Sequence, residues 1–345
     1  MTTIRDVAKR AGVSVSAVSR ALNDYHDIKP ETKERILQVV RELNYYPTAS
    51  AKQLVTKRSH TIGVFYPQSE GPGLKHPYIA SVLEEFKTKA GSCGYDLMLF
   101  ANTKAPFDEA NMLTRVKHRD VDGVLLIGNP GQDVESLLAA SLPVVGVDYT
   151  VTGTRVGSVT SDNRRALHEL VVHLQRSGYG SFGYIPGEMD VSVAVERLQG
   201  FYSGMSEAGL TVRPEWIVQG AFTFDGGKKA AEELLRLKEL PEVVLCGADV
   251  TAIGLMKVFT RQGIRIPEDV SIVGFDDIEA ASYVTPTLTT IRQDTKAMGN
   301  LAAETLVRLI ENERVNTPQH FVLPTELVVR HSTRGLAAKT LVGRS

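Results

Sequence analysis

The sequence predicts an N-terminal all-α helix-turn-helix headpiece, a short linker, and an α/β body of two doubly wound parallel-sheet lobes. Three observations carry that prediction. Residues 3 to 23, TIRDVAKRAGVSVSAVSRALN, set apolar residues at helical spacing on both sides of a glycine. Residues 1 to 58 hold 11 Lys and Arg against 6 Asp and Glu, net +5, while the remainder holds 28 against 34, net −6. From Thr61 onward, short apolar runs alternate with amphipathic stretches, which is the pattern of parallel strands and the helices that cover them.

In the headpiece, Ile4, Val7, Ala8 and Ala11 mark the first helix, and Gly12 supplies the left-handed backbone of a sharp ending. Ser14 is placed to cap a second helix whose inner face is Val18, Ala21 and Leu22. Its outer face carries Val15, Ser16, Ser19, Arg20 and Asn23, short polar groups and one long fork that suit a major groove. A polar loop from Asp24 to Lys29 precedes a third helix, expected over residues 30 to 43. Pro30 opens it, Ile36, Val39, Val40 and Leu43 form its inner face, and Tyr45, Tyr46 and Pro47 end it. Residues 48 to 58, TASAKQLVTKR, contain good helix formers in a stretch too short to be stable as an isolated helix.

In the body, TIGVFY, YDLMLF, DGVLLIG and PVVGVD read as buried strands, followed by VGSVTSD, SFGYIPG, WIVQGA, VVLCGA and VSIVGFDD. Helical patterns separate them near residues 78–91, 107–119, 132–140, 163–177, 194–208, 225–238 and 250–262. Nine or so strands exceed one small open sheet, so two sheets are expected. Cys93 and Cys246 lack metal-ligand spacing and read as two reduced, buried thiols. No apolar run approaches the roughly 18 residues that span a bilayer, and MTTIRDVAKR lacks a signal-peptide core. A cytoplasmic protein without membrane partner, cofactor or metal is expected.

The segments DVAKRAGVS, VSRALN, ETKERILQVVRELNYYP, IGVF, VDG, the SDN at 161 to 163, RLQGF, PEDVSIVGFDD and PTLTTI resemble, in order and spacing, those of the lactose-repressor (LacI/GalR) family of bacterial transcription regulators. The resemblance covers nearly the whole chain. It implies a helix-turn-helix headpiece over residues 1–46 and a hinge helix within 47–60. An effector-binding and dimerisation domain resembling a periplasmic sugar-binding protein follows over 61–330, with a tail over 331–345. Lobe one is expected to hold about 61–160 and 289–319, and lobe two about 161–288 and 320–330. The implied partners are a pseudo-palindromic double-stranded DNA operator, a second copy of the chain in a homodimer, and a small-molecule effector between the lobes. The tail lacks a leucine heptad, so a tetramerising extension is not expected.

On the DNA side the resemblance makes Leu54 a wedge into the central base step of the minor groove, with Ala51 and Lys52 beside it. Thr48 stands where many relatives carry Asn. Thr3, Ser14, Thr32 and Tyr45 complete the candidate DNA-contacting set with the second-helix residues. On the effector side, Tyr78 opens a helix after the first strand, where the family packs an aromatic on the ligand. Asp148 and Asp162 each follow a strand, where a carboxylate either accepts from a ligand hydroxyl or caps a helix. Arg197 presents a five-donor fork suited to neighbouring hydroxyls. Phe222, Asp249 and Asp276 match the family's stacking aromatic and its two acidic residues, and Ala248 departs from the Asn often found before the first of these.

HExxH, GxSxG, P-loop and GxGxxG motifs are all missing, which argues against an enzyme. The α/β body alone would also permit a binding protein without DNA affinity, but the basic headpiece opposes that reading. Arg and Asp around one or two aromatics favour a sugar effector; a nucleobase or a partner protein is the alternative.

Overall fold

The structure, a computed structural model, describes residues 2–22, 25, 28–45, 58–66, 73–101, 111–128, 134–312 and 317–336. It divides into two compact units, Met1–Ser59 and His60–Ser345.

The first unit contains helices α1 (Ile4–Ala11), α2 (Val15–Leu22) and α3 (Pro30–Glu42). A capping box starts α1: the Asp6 amide donates to the Thr3 hydroxyl at 3.4 Å, and the Thr3 amide donates to the Asp6 carboxylate at 2.8 Å. Gly12 ends α1 at φ 67, a conformation that side chains disfavour, and the Ala17 amide donates to the Ser14 hydroxyl at 3.2 Å to cap α2. The core is Val7, Ala8, Ala11, Val18, Ala21, Ile36, Val39 and Tyr45. Helix α3 stops before Tyr46 and Pro47, because Asn44 turns left-handed at φ 45 and the Tyr45 amide donates back to the Val40 carbonyl. Most of the expected hinge, with Ala51, Lys52 and Leu54, lies outside the described residues, as does Asn23.

The second unit contains two sheets. Strands β1 (Thr61–Phe65), β2 (Asp96–Leu99), β3 (Gly123–Ile127), β4 (Val144–Val147) and β5 (Val156–Ser161) precede β6 (Phe182–Ile185), β7 (Val243–Cys246) and β8 (Ser271–Asp276). Strands β9 (Thr289–Gln293), β10 (Gln319–Leu323) and β11 (Thr325–Val328) follow. One sheet runs β10-β5-β4-β3-β1-β2, all parallel, and the other β11-β9-β8-β7-β6, parallel except for β11. Helices α4 (Pro77–Ser92), α5 (Met112–His118), α6 (Val134–Ala139) and α11 (Thr295–Glu311) pack with the first sheet. Helices α7 (Asn163–Arg176), α8 (Ser192–Glu207), α9 (Phe224–Leu234) and α10 (Asp249–Arg261) pack with the second. β1, β3 and β4 are buried almost throughout, so their apolar runs show no alternation.

The chain crosses between sheets three times, from β5 to α7, from β9 to α11 and from β10 to β11. Two stretches fall in the other lobe from the one expected. Residues 289–293 pair with β8 in the second sheet, Val273 opposite Thr289, and only α11 returns to the first. Residues 319–323 pair with β5 in the first sheet, so 320–323 do not belong to lobe two. Ser332 and Thr333, expected in a tail, are buried; the Thr289 amide donates to the Ser332 hydroxyl at 2.8 Å. WIVQGA forms no strand: Pro214–Trp216 is a 3-10 turn, and Ile217 makes an isolated bridge to Tyr184. Cys246 is buried as expected, whereas Cys93 is exposed.

Candidate functional site

On the headpiece, Ser14, Val15, Ser16 and Arg20 are exposed and Ser19 is half-buried, so α2 presents its polar side outward. Val15 alone leaves 41% of its surface to solvent. Thr3 is exposed and Thr32 half-buried. Tyr45 differs from expectation. At 7% exposure it fills the core between helices, so packing is its structural role.

In the second unit a cavity opens at the carboxyl ends of the strands, where parallel α/β sheets place ligand sites. Tyr78, in the first turn of α4, donates its hydroxyl to Asp148 Oδ2 at 2.6 Å, and Met298 Sδ lies 3.0 Å from the same hydroxyl. Asp148 follows β4 with φ 54, which swings its carboxylate beside the cavity, where Thr160 also donates to it at 3.3 Å. Arg197, from α8, is only 3% exposed. Its Nε donates to Asn163 Oδ1 at 2.8 Å and its Nη1 to the Gly247 carbonyl at 2.6 Å, while its Cζ stands 3.6 Å from the Phe275 ring centre. Nη2 has no hydrogen-bond partner among the described residues. Phe222 also lines the cavity, its ring centre 5.7 Å from the same guanidinium.

Asp276 ends β8 at φ 122 and is 4% exposed. Its Oδ1 accepts from Gln293 at 2.7 Å and lies 4.0 Å from Arg197 Nη1, but its Oδ2 is buried with no hydrogen-bond partner among the described residues. A buried acceptor left this way costs about 1 to 3 kcal/mol. Burial pushes the Asp276 pKa up to about 7 against the opposing pull of Arg197, and burial also raises that of Asp148.

Two expected ligands do other work. Asp162 does not line the cavity; its carboxylate accepts from the Arg165 amide at 3.3 Å and caps α7. Asp249 is fully buried behind the cavity wall, accepting from Thr290 at 2.5 Å and from the Ile278 amide at 2.9 Å. Burial and the Asp276 charge push its pKa well up, as expected of a carboxyl kept from water.

Three residues were not singled out from sequence. His76, before α4, lines the cavity with Nδ1 buried and unpartnered, and burial with the Arg197 charge lowers its pKa to about 4. Glu188 lines the mouth and accepts from the Phe222 amide at 3.0 Å. Gln293 holds Asp276 and leaves its own Oε1 buried and unpartnered. Only their positions after strands or before Pro77 hinted at these roles.

Residues 3–48 match bacterial regulatory proteins of the lacI family, and residues 171–333 match the periplasmic binding protein-like domain. The chain is 33% identical over 337 residues to the ribose operon repressor of Haemophilus influenzae, covering 97% of this chain and 100% of that one. It is 36% identical over 338 residues to the HTH-type transcriptional repressor PurR of Proteus mirabilis, covering 96% and 97%. Among solved structures, the lac repressor dimer bound to operator and the anti-inducer ONPF superposes with TM-score 0.82 at 26% identity, over 96% and 99% of the two chains. The transcriptional regulator CelR–cellobiose complex gives TM-score 0.69 at 27% identity, over 96% and 100%.

Proposed function

The chain belongs to the lacI family of bacterial regulatory proteins and is a DNA-binding transcriptional regulator; from that premise we propose that it is a cytoplasmic repressor acting as a homodimer on a pseudo-palindromic operator, with a sugar between its lobes setting operator affinity. The observation that carries the effector half is the cavity lined by Arg197, Asp276 and His76, whose Nη2, Oδ2 and Nδ1 atoms have no hydrogen-bond partner among the described residues. Hydroxyls that both donate and accept satisfy all three. The solved cellobiose complex and the ribose operon relative support a sugar, while the PurR relative keeps a nucleobase as the second reading.

On the DNA side, Val15, Ser16, Ser19 and Arg20 of α2 read the major groove, with Thr3, Ser14 and Thr32 toward the phosphates. A hinge role for residues 47–60, with Leu54 as the minor-groove wedge beside Ala51 and Lys52, is what their sequence resemblance to the family supports. This reading makes the cavity a binding site rather than a catalytic one. Among the described residues no helix is long and apolar enough to cross a membrane.

The test is operator selection from a random duplex pool, followed by a thermal-shift screen of sugars and purines and an anisotropy titration with each hit. A ligand at about 100 times its Kd adds roughly 2.7 kcal/mol, which the screen detects. The reading expects a two-half-site DNA sequence whose affinity changes with a sugar. Selection of no DNA sequence, or a purine as the sole active ligand, would overturn the corresponding half.

A further inference from the structure

The charges around the cavity restrict the effector more tightly than its shape does. Among the described lining residues, Asp148, Glu188 and Asp276 bring carboxylates and Arg197 the single permanent cation. The guanidinium is already engaged: Nε with Asn163, Nη1 with the Gly247 carbonyl and near Asp276, and its face on Phe275. A phosphate brings about −1.5 to −2 charge at neutral pH. Here it would meet a single Arg nitrogen and no second cation among the described lining residues, beside the Glu188 carboxylate and two carboxyls whose pKa values burial raises, so the desolvation of its charge would go largely uncompensated.

His76 does not alter that balance. Its ring lies 6.4 Å from Tyr78, edge-on, and burial together with the Arg197 charge keeps it uncharged at neutral pH. An uncharged imidazole offers one donor and one acceptor, and its Nδ1 is buried in the cavity wall with no protein partner. A hydroxyl matches either role, whereas a phosphate oxygen only accepts.

We infer that the cavity takes an uncharged, hydroxyl-rich molecule, excludes its phosphorylated and carboxylated counterparts, and reads one of its hydroxyls with His76. This rests on the effector reading above and narrows it to unphosphorylated sugars or polyols.

The experiment is calorimetry of the full-length chain with matched pairs: D-ribose and ribose 5-phosphate, D-glucose and glucose 6-phosphate, and cellobiose and cellobionate, beside hypoxanthine and guanine. The expected result is a neutral sugar that binds at least about tenfold more tightly than its charged counterpart. With that sugar, His76→Leu should lose about tenfold in affinity and His76→Gln, which keeps a donor and an acceptor, should recover most of the loss. A charged member binding as well as its parent overturns the charge inference and leaves the sugar-controlled regulator standing. A purine as the only ligand, or no ligand in the set, overturns the sugar reading and this inference together. Unchanged affinity in His76→Leu removes the His76 contact alone.

Discussion

Replacing Asp276 with Asn should make the effector domain more stable at neutral and higher pH while weakening ligand binding. In the folded chain burial holds the Asp276 pKa at about 7, against an ordinary 3.8. The folded state therefore keeps a proton that the unfolded state has lost across that window, so the Asp276 contribution to stability falls as pH rises from about 4 to about 7. Roughly three pH units at about 1.36 kcal/mol each give a penalty of about 4 kcal/mol above pH 7. His76 has the opposite sign. Its pKa drops from 6.5 to about 4, so the unfolded state binds the extra proton and stability rises with pH between those values. In wild type the two slopes oppose each other from about pH 4 to 6.5. In the Asp276→Asn variant the new side chain carries no titrating proton, and its amide oxygen can still accept from Gln293. The assay is urea unfolding at half-unit pH steps, followed by fluorescence of the single tryptophan, Trp216, which is buried in lobe two. The variant should gain on wild type steadily between pH 4 and 7 and then hold a constant advantage. Parallel curves for the two proteins would refute the claim that burial raises the Asp276 pKa at a cost to stability.

Arg20→Ala should weaken specific operator binding by about 1 to 3 kcal/mol, as for a bidentate base contact, and unchanged affinity by anisotropy would remove Arg20 from readout. Tyr45→Ala should destabilise the headpiece by about 3 to 5 kcal/mol, read by hydrogen exchange in the full chain, because it empties part of a small core. Tyr45→Phe should leave operator affinity within about twofold, and a loss beyond about tenfold would return Tyr45 to the DNA interface. Arg197→Lys keeps the charge but cannot bond Asn163 and Gly247 while also presenting a donor to ligand, so effector affinity should fall at least about tenfold. Calorimetry with the sugar hit would check it.

The headpiece was legible because its signals are local. Gly12 needs its left-handed turn, Ser14 caps within three residues, and the apolar spacing of α1 and α2 closes on itself. The strands were legible because burial on both faces demands unbroken apolar runs. Lobe membership was not, since TTIRQ and QHFVL are short strands that fit either sheet. Their places are decided by β8 and β5, which lie elsewhere in the chain. The two acidic residues Asp249 and Asp276 show the same limit. Both follow apolar strands, yet φ 122 at Asp276 leaves its carboxylate on the cavity, while Asp249 begins α10 and is bound by Thr290 of β9. His76 carried no signal beyond preceding a proline. Only the surrounding fold reveals that its Nδ1 is stranded.

The unsatisfied groups are divided between the lobes, and that division makes ligand binding able to act as a switch. His76, Tyr78 and Asp148 belong to lobe one; Arg197, Phe222 and Asp276 belong to lobe two. Gln293, which holds Asp276, is the last residue of β9 before the chain crosses to α11. A ligand shifts a conformational equilibrium only through its differential affinity for the two states. Moving the populations from 1:99 to 99:1 takes about 5.5 kcal/mol, and one hydrogen bond to a charged group supplies about 1.5 to 3 kcal/mol. Two to four bonds made in one lobe orientation only are therefore enough. Asp276 Oδ2 and Arg197 Nη2 share lobe two and can keep their bonds in either orientation, so the orientation-dependent part comes from bonds that also reach His76, Tyr78 or Asp148 in lobe one. A deoxy analogue that keeps its bonds to Arg197 and Asp276 but lacks the hydroxyl for His76 should therefore still bind, yet change operator affinity less than its parent does. Equal effects of the two compounds at saturation would mean that the switch lies wholly within lobe two.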